Sequence, residues 1–143
     1  MKGVIMKRFI CLLSTLVILF SMAIPVFAAV PEEIQPLYTN IDTVGASLTI
    51  NETLGIATCT GRLFAKDIQP VKVIVRLQIY KDGYWQTLKS WTGEGSWTIV
   101  VSKQYAIYSG YTYRVTTAGY VYDDDGNILE AASASHTVNY PAN

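Results

Sequence analysis

Few residues in this sequence are of a type that does chemistry. His136 is its only histidine, and Cys59 and Cys11 are its only cysteines. A nucleophile–base pair would need Cys59 and His136 to meet, with an acid to orient the imidazole. Neither sits in a loop signature. His136 shares parity with Ala134, Val138 and Tyr140 in "ILEAASASHTVNY", and Cys59 falls in step with Ala57 and Leu63 in "GIATCTGRLFA". Both therefore read as strand side chains, Cys59 as a small buried hydrophobe. No helix N-terminus or cationic cluster nearby would lower its thiol pKa. An intermolecular disulfide is the alternative use for it. A zinc centre would need more histidine and cysteine than the chain has.

The densest acidic stretch is "DDDGN", residues 123–127, followed by Glu130. A calcium loop of the EF-hand kind places oxygen ligands at alternating positions, glycine at the sixth and glutamate at the twelfth. Counted from Asp123, Gly126 is the fourth and Glu130 the eighth. The spacing fails, so a hairpin turn with clustered acids is expected, leaving Asp123, Asp125 and Asn127 as a weak calcium candidate. Carboxylate pairs of the glycosidase type normally sit in a larger cleft than a small domain offers. There is no Walker loop and no dinucleotide fingerprint. No catalytic residue, metal or cofactor is assigned.

The strongest clue is aromatic. "YKDGYWQTLKSW", residues 80–91, holds two of the three tryptophans and two of the ten tyrosines. Asp82–Gly83 reads as a two-residue hairpin turn. Lys81 then pairs with Tyr84, Tyr80 with Trp85 and Ile79 with Gln86. On strict alternation Val75, Leu77, Ile79 and Leu88 face inward, and Ile74, Arg76, Tyr80, Trp85, Lys89 and Trp91 face outward. A three-residue loop would put both tryptophans inside but bury Lys89 with them, at a cost. The outward aromatics then have two uses. They stabilise the hairpin as a cross-strand pair, or they form a flat platform for a sugar ring or a protein partner. In the second use Tyr80, Trp85 and Trp91 stack or anchor, and Arg76, Gln78 and Lys89 form the polar rim.

The elements that must carry these residues are all strands. After Val30 no stretch has helical periodicity, while valine, threonine, tyrosine and isoleucine dominate and turn residues recur. Strands are expected at 43–52, 55–65, 71–80, 84–92, 96–102, 111–122 and 128–140. "PEEIQPLY" belongs to an extended lead-in over residues 29–42, and the domain proper covers residues 43–143. Most connections are short, so the strands are antiparallel. The longer ones, 65–71 and 103–110, are candidates for crossing between sheets. Seven such strands point to an immunoglobulin-like or fibronectin-like β-sandwich, with a small closed barrel as the alternative. "SGYTYRV" suits the tyrosine corner of such sandwiches, with Tyr111 or Tyr113 in the role.

Residues 1–28 read as a cleaved secretory signal peptide. Lys2, Lys7 and Arg8 precede the apolar run "FICLLSTLVILFSMAI", and "PVFAA" closes it with small residues two apart. The run is about 16 residues, short of the roughly 18 or more of a spanning helix. The expected mature chain, about 115 residues, is one domain with a modest core. Its eight cations against eleven acids leave a charge of −3, which gives no electrostatic case for nucleic acid or an anionic membrane. Cys59 is then the sole cysteine, so no internal disulfide is available and the core must supply the stability.

"IQPLYTNI", "ATCTG", "GYWQTLKSW" and "SGYTYRVTT" together resemble a family of short exported proteins of low-GC Gram-positive bacteria, many of them gut clostridia. The similarity covers nearly the whole mature chain. It implies an exported, single-domain, all-β bacterial protein and brings no catalytic residues. Members often carry a basic residue after the Gln35–Pro36 pair, where this chain has Leu37. The functional expectation is a secreted, non-enzymatic binding module for a glycan or an envelope protein. A structural protein pairing through sheet edges or Cys59 is the second reading, and a small hydrolase the third.

Overall fold

The computed structural model describes residues 37–142. The expected signal peptide and most of the lead-in lie outside them. Seven strands follow one another: β1 (Ile41–Asn51), β2 (Ile56–Ala65), β3 (Pro70–Lys81), β4 (Tyr84–Ser96), β5 (Thr98–Ala106), β6 (Tyr111–Tyr122) and β7 (Ile128–Tyr140). Alternation makes the two central strands. Val71, Val73, Val75, Leu77 and Ile79 of β3 are buried in strict turn, and so are Tyr113, Val115, Thr117, Gly119 and Val121 of β6. β1 starts at Ile41, inside the stretch expected to be lead-in, because Ile41 is buried in the core and paired with Ala65. β5 starts later than expected, at Thr98, and runs on through Lys103–Ala106.

The strands form two antiparallel sheets, ordered β1-β2-β5 and β4-β3-β6-β7, and do not close into a barrel. One apolar cluster takes residues from both: Leu48, Ala57, Cys59, Leu63 and Val101 from the first sheet, and Val73, Val75, Leu77, Tyr113 and Val115 from the second. The chain changes sheet after β2, after β4 and after β5. The first and last of these crossings are the longer connections expected from the sequence. The middle one is a single residue, Trp97, whose φ of 69° is left-handed. Its N–H donates to the Gln69 carbonyl (2.9 Å), and its carbonyl accepts from Ala65 N–H (2.8 Å). The second crossing is thus bonded to both ends of the first.

Of Tyr111 and Tyr113, the second bonds back to the chain upstream. Its Oη donates to the Tyr108 carbonyl (2.8 Å) and accepts from the Tyr108 N–H (3.1 Å). Burial pushes its phenol pKa up, and the bond to the Tyr108 backbone reverses this only in part. β1 and β7 are both edge strands, and three β7 side chains occupy the backbone of the first strand and its flanks. Glu130 accepts from the N–H groups of Thr39, Asn40 and Ile41 (2.9, 2.7 and 2.7 Å). His136 Nδ1 accepts from Leu48 N–H (3.0 Å) and Tyr140 Oη donates to the Glu52 carbonyl (2.8 Å). Lys66 Nζ adds a bond to the Tyr38 carbonyl.

Two predictions follow from this packing. The Thr117 hydroxyl is buried in the core without a hydrogen-bond partner. An unpaired buried hydroxyl costs about 1–3 kcal/mol, so Thr117→Val should raise the unfolding free energy by about 1 kcal/mol in denaturant titration. Burial pushes the Glu130 pKa up, but its three N–H donors and the Lys66 charge outweigh that and hold it below the ordinary glutamate value. A depressed carboxyl pKa contributes stability that is present above the unfolded-state value and lost as pH falls through the folded one. Acid in that window should therefore release residues 39–41. Exchange protection of their amides should drop there, and Glu130→Gln should show the same loss at neutral pH.

Candidate functional site

The hairpin turn is the expected two-residue one. Asp82 and Gly83 both take positive φ, 57° and 87°, which a primed turn demands and which glycine adopts without strain. Lys81 pairs with Tyr84, Tyr80 with Trp85 and Ile79 with Gln86. Beyond Gln78–Thr87 the register shifts, and Leu77 pairs with Lys89. Leu88 is an extra residue, a β-bulge, and every later side chain of β4 changes face. This corrects strict alternation at three positions. Trp91 pairs with Val75 and turns inward, against the core and edge-on to Tyr105, with centroids 6.4 Å apart. Lys89 pairs with the buried Leu77, yet its side chain is exposed. Leu88, expected inside, is partly exposed. Trp91 and Lys89 therefore do not belong to the outer aromatic face.

Tyr80, Trp85, Gln78 and Arg76 do share that face. The Tyr80 and Trp85 rings lie 5.2 Å apart, tilted by 59°. β6 supplies a member that sequence reasoning missed. Arg114 pairs with Gln78 and lays its guanidinium 4.2 Å from the centroid of the Trp85 ring. Its Nε and Nη2 donate to Gln78 Oε1 (3.0 and 2.7 Å). Gln78 Nε2 in turn donates to Thr87 Oγ1 (3.2 Å). Both ends of the Gln78 amide are engaged, so its orientation is fixed. Arg76 lies between Ser90 and Thr116 in the next cross-strand row. The result is a continuous surface of aromatic faces, a guanidinium plane and hydroxyls, set on the half of β4 that precedes the bulge.

Other candidates have structural positions. Cys59 is fully buried, and burial pushes its thiol up to about 11. Its side chain belongs to the apolar cluster that the two sheets share. Asp123 caps its own turn: its carboxylate accepts from the Asn127 N–H (2.7 Å) and from the Asn127 Nδ2 (3.0 Å). Those bonds hold its pKa below the ordinary aspartate value. Asp125 lies exposed on the same turn. With the Asp123 oxygens engaged and Asn127 turned donor-first toward them, the calcium candidate is an acid-capped hairpin. Among the described residues no group of three or more histidine, cysteine or acidic side chains could hold a metal ion.

A scan against protein-family models finds no match, and a search of curated proteins finds none either. The case for a function therefore rests on this chain's own residues.

The opposite facings of the two tryptophans give a direct test. Trp91→Ala should cost about 2–4 kcal/mol, since it empties space against the core. Trp85→Ala removes a cross-strand ring pair and one cation–π contact and should cost about 1 kcal/mol. Equilibrium unfolding of the two variants measures the difference, and equal losses would contradict the bulged register.

Proposed function

We propose that this chain is an exported, immunoglobulin-like β-sandwich that serves as a non-enzymatic binding module. Its contact surface is the outer face of the four-stranded sheet, and its ligand is a glycan or an envelope protein. The sandwich reading is supported by the apolar cluster shared between the two sheets and by the Tyr113–Tyr108 corner. Export is supported by the basic, apolar and small-residue pattern of residues 1–28.

One observation carries the binding reading: Arg114 lies on Trp85 while Gln78 holds its guanidinium by two bonds. A long cationic side chain on a sheet surface ordinarily pays a high ordering entropy when a ligand arrives. Here that side chain is already placed. Its plane continues the aromatic surface, and its Nη1 donors have no protein partner among the described residues. Tyr80 adds a ring that is 47% exposed. Aromatic faces with fixed polar donors at the rim suit the apolar face and hydroxyl edge of a sugar ring, or an anchor residue of a protein.

Trp85→Ala and Arg114→Ala, assayed on a glycan array and by co-sedimentation with insoluble peptidoglycan, should each weaken retention by about tenfold or more while unfolding stays cooperative. Retention that survives both substitutions would remove this face as the binding surface.

A further inference from the structure

The three-stranded sheet carries a second feature, on the other side of the molecule from the aromatic surface. A cleft of about 330 Å³ crosses β1, lined by Gly45, Ala46 and Ser47 of β1, Thr60 and Arg62 of β2 and His136 of β7. We infer that this cleft binds an oxyanion, the carboxylate or phosphate group of a ligand, through Arg62, His136 and Ser47.

The first support is steric. Gly45 and Arg62 are cross-strand partners, and the arginine side chain lies flat over the glycine. A Cβ at position 45 would stand 2.7 Å from Arg62 Nε and 3.1 Å from its Cγ. Any other residue there would force the arginine side chain to shift from this position. The second support is electrostatic. Among the described residues no carboxylate lies within ion-pair distance of Arg62; the ion pair they contain joins Lys72 and Glu94. No acidic side chain lines the cleft either. Arg62 thus differs from Arg114, whose Nε and Nη2 are turned onto Gln78. The third support is the histidine tautomer. His136 Nδ1 accepts from Leu48 N–H (3.0 Å), so the neutral ring carries its proton on Nε2 and offers a donor. Ser47 contributes a hydroxyl, while the Thr60 hydroxyl is already shared with Ser102 (2.9 Å).

A cleft furnished with a guanidinium, an imidazole N–H and a hydroxyl, and with no carboxylate, favours negative charge. The guanidinium fork matches the paired oxygens of a carboxylate or phosphate. His136 and Arg62 come from different sheets, and the β1–β7 bond through Leu48 holds the imidazole in place. The cleft shares no residue with the aromatic surface, and loss of binding at one leaves the other intact.

The test is an NMR titration of the isotope-labelled protein with sodium galacturonate and, separately, with inorganic phosphate, at fixed neutral pH and with sodium chloride holding ionic strength constant. Saturable shifts of the Gly45, Ser47 and Leu48 amides and of the Arg62 Nε–H are expected in at least one titration. Saturation by galacturonate alone assigns a carboxylate ligand, and by phosphate alone a phosphate. Arg62→Gln should weaken the response by about tenfold or more. Gly45→Ala, which keeps the arginine but displaces it, should do the same, with its thermal unfolding midpoint recorded to show that the fold survives. Non-saturating shifts in both titrations, or unchanged affinity in Arg62→Gln, would overturn the inference.

Discussion

One extra residue in β4 decides that its two tryptophans point to opposite faces. The bulge at Leu88 divides the strand into two halves of opposite facing. The half before it sends Trp85 outward, beside Tyr80 and under Arg114. The half after it turns Trp91 inward, onto Tyr105 of β5. A bulge leaves one residue outside the ladder and increases local twist, and here it lets a single edge strand serve both the surface and the core. Without it Trp91 would face solvent and the contact between β4 and β5 would lose its aromatic pair. The aromatic surface thus follows from the Asp82–Gly83 turn, and the flank of the core from the bulge that comes after it.

The opposite flank is closed by different means. An edge strand presents unpaired backbone groups that invite pairing with another chain. Along β1 those groups are met by side chains from β7 rather than by a neighbouring strand. Glu130, His136 and Tyr140 share one parity, so all three lean toward β1, and they act at its start, its middle and its far end. This answers the question His136 raised in the sequence. The imidazole is scaffold-borne, as its parity indicated, yet the bond that makes it structural also fixes which nitrogen can serve a ligand in the Arg62 cleft.

Much of the fold was legible because alternation in "VKVIVRLQIY" and "YTYRVTT" leaves little choice of face, and Asp82–Gly83 is a strong turn signal. The seven strands and their antiparallel order follow from those cues. What escaped had no local signature. A bulge inside "TLKSW" replaces no residue type and adds no glycine, so the facing of Trp91 and Lys89 could not be read from spacing. Arg114 was missed because its partnership with Gln78 depends on the register of β3 against β6, whose intervening chain is long. Trp97 was read as part of a strand because a tryptophan is a poor advertisement for a left-handed backbone.

Trp97 also ties the return of β5 to the rest of the fold. The β1–β2 and β3–β4 hairpins join neighbours in the chain and can close locally. β5 must instead return to β2 across the whole β3–β4 hairpin. Its entry is set by a residue whose amide and carbonyl bond to Gln69 and Ala65. Those partners are the two ends of the first crossing, so the two crossings are tied to each other. β6 pairs with β3, and β7 with β6. The outer edge of β1 is thus guarded by the C-terminal strand, and a chain lacking Tyr140 would leave the far end of that edge uncovered.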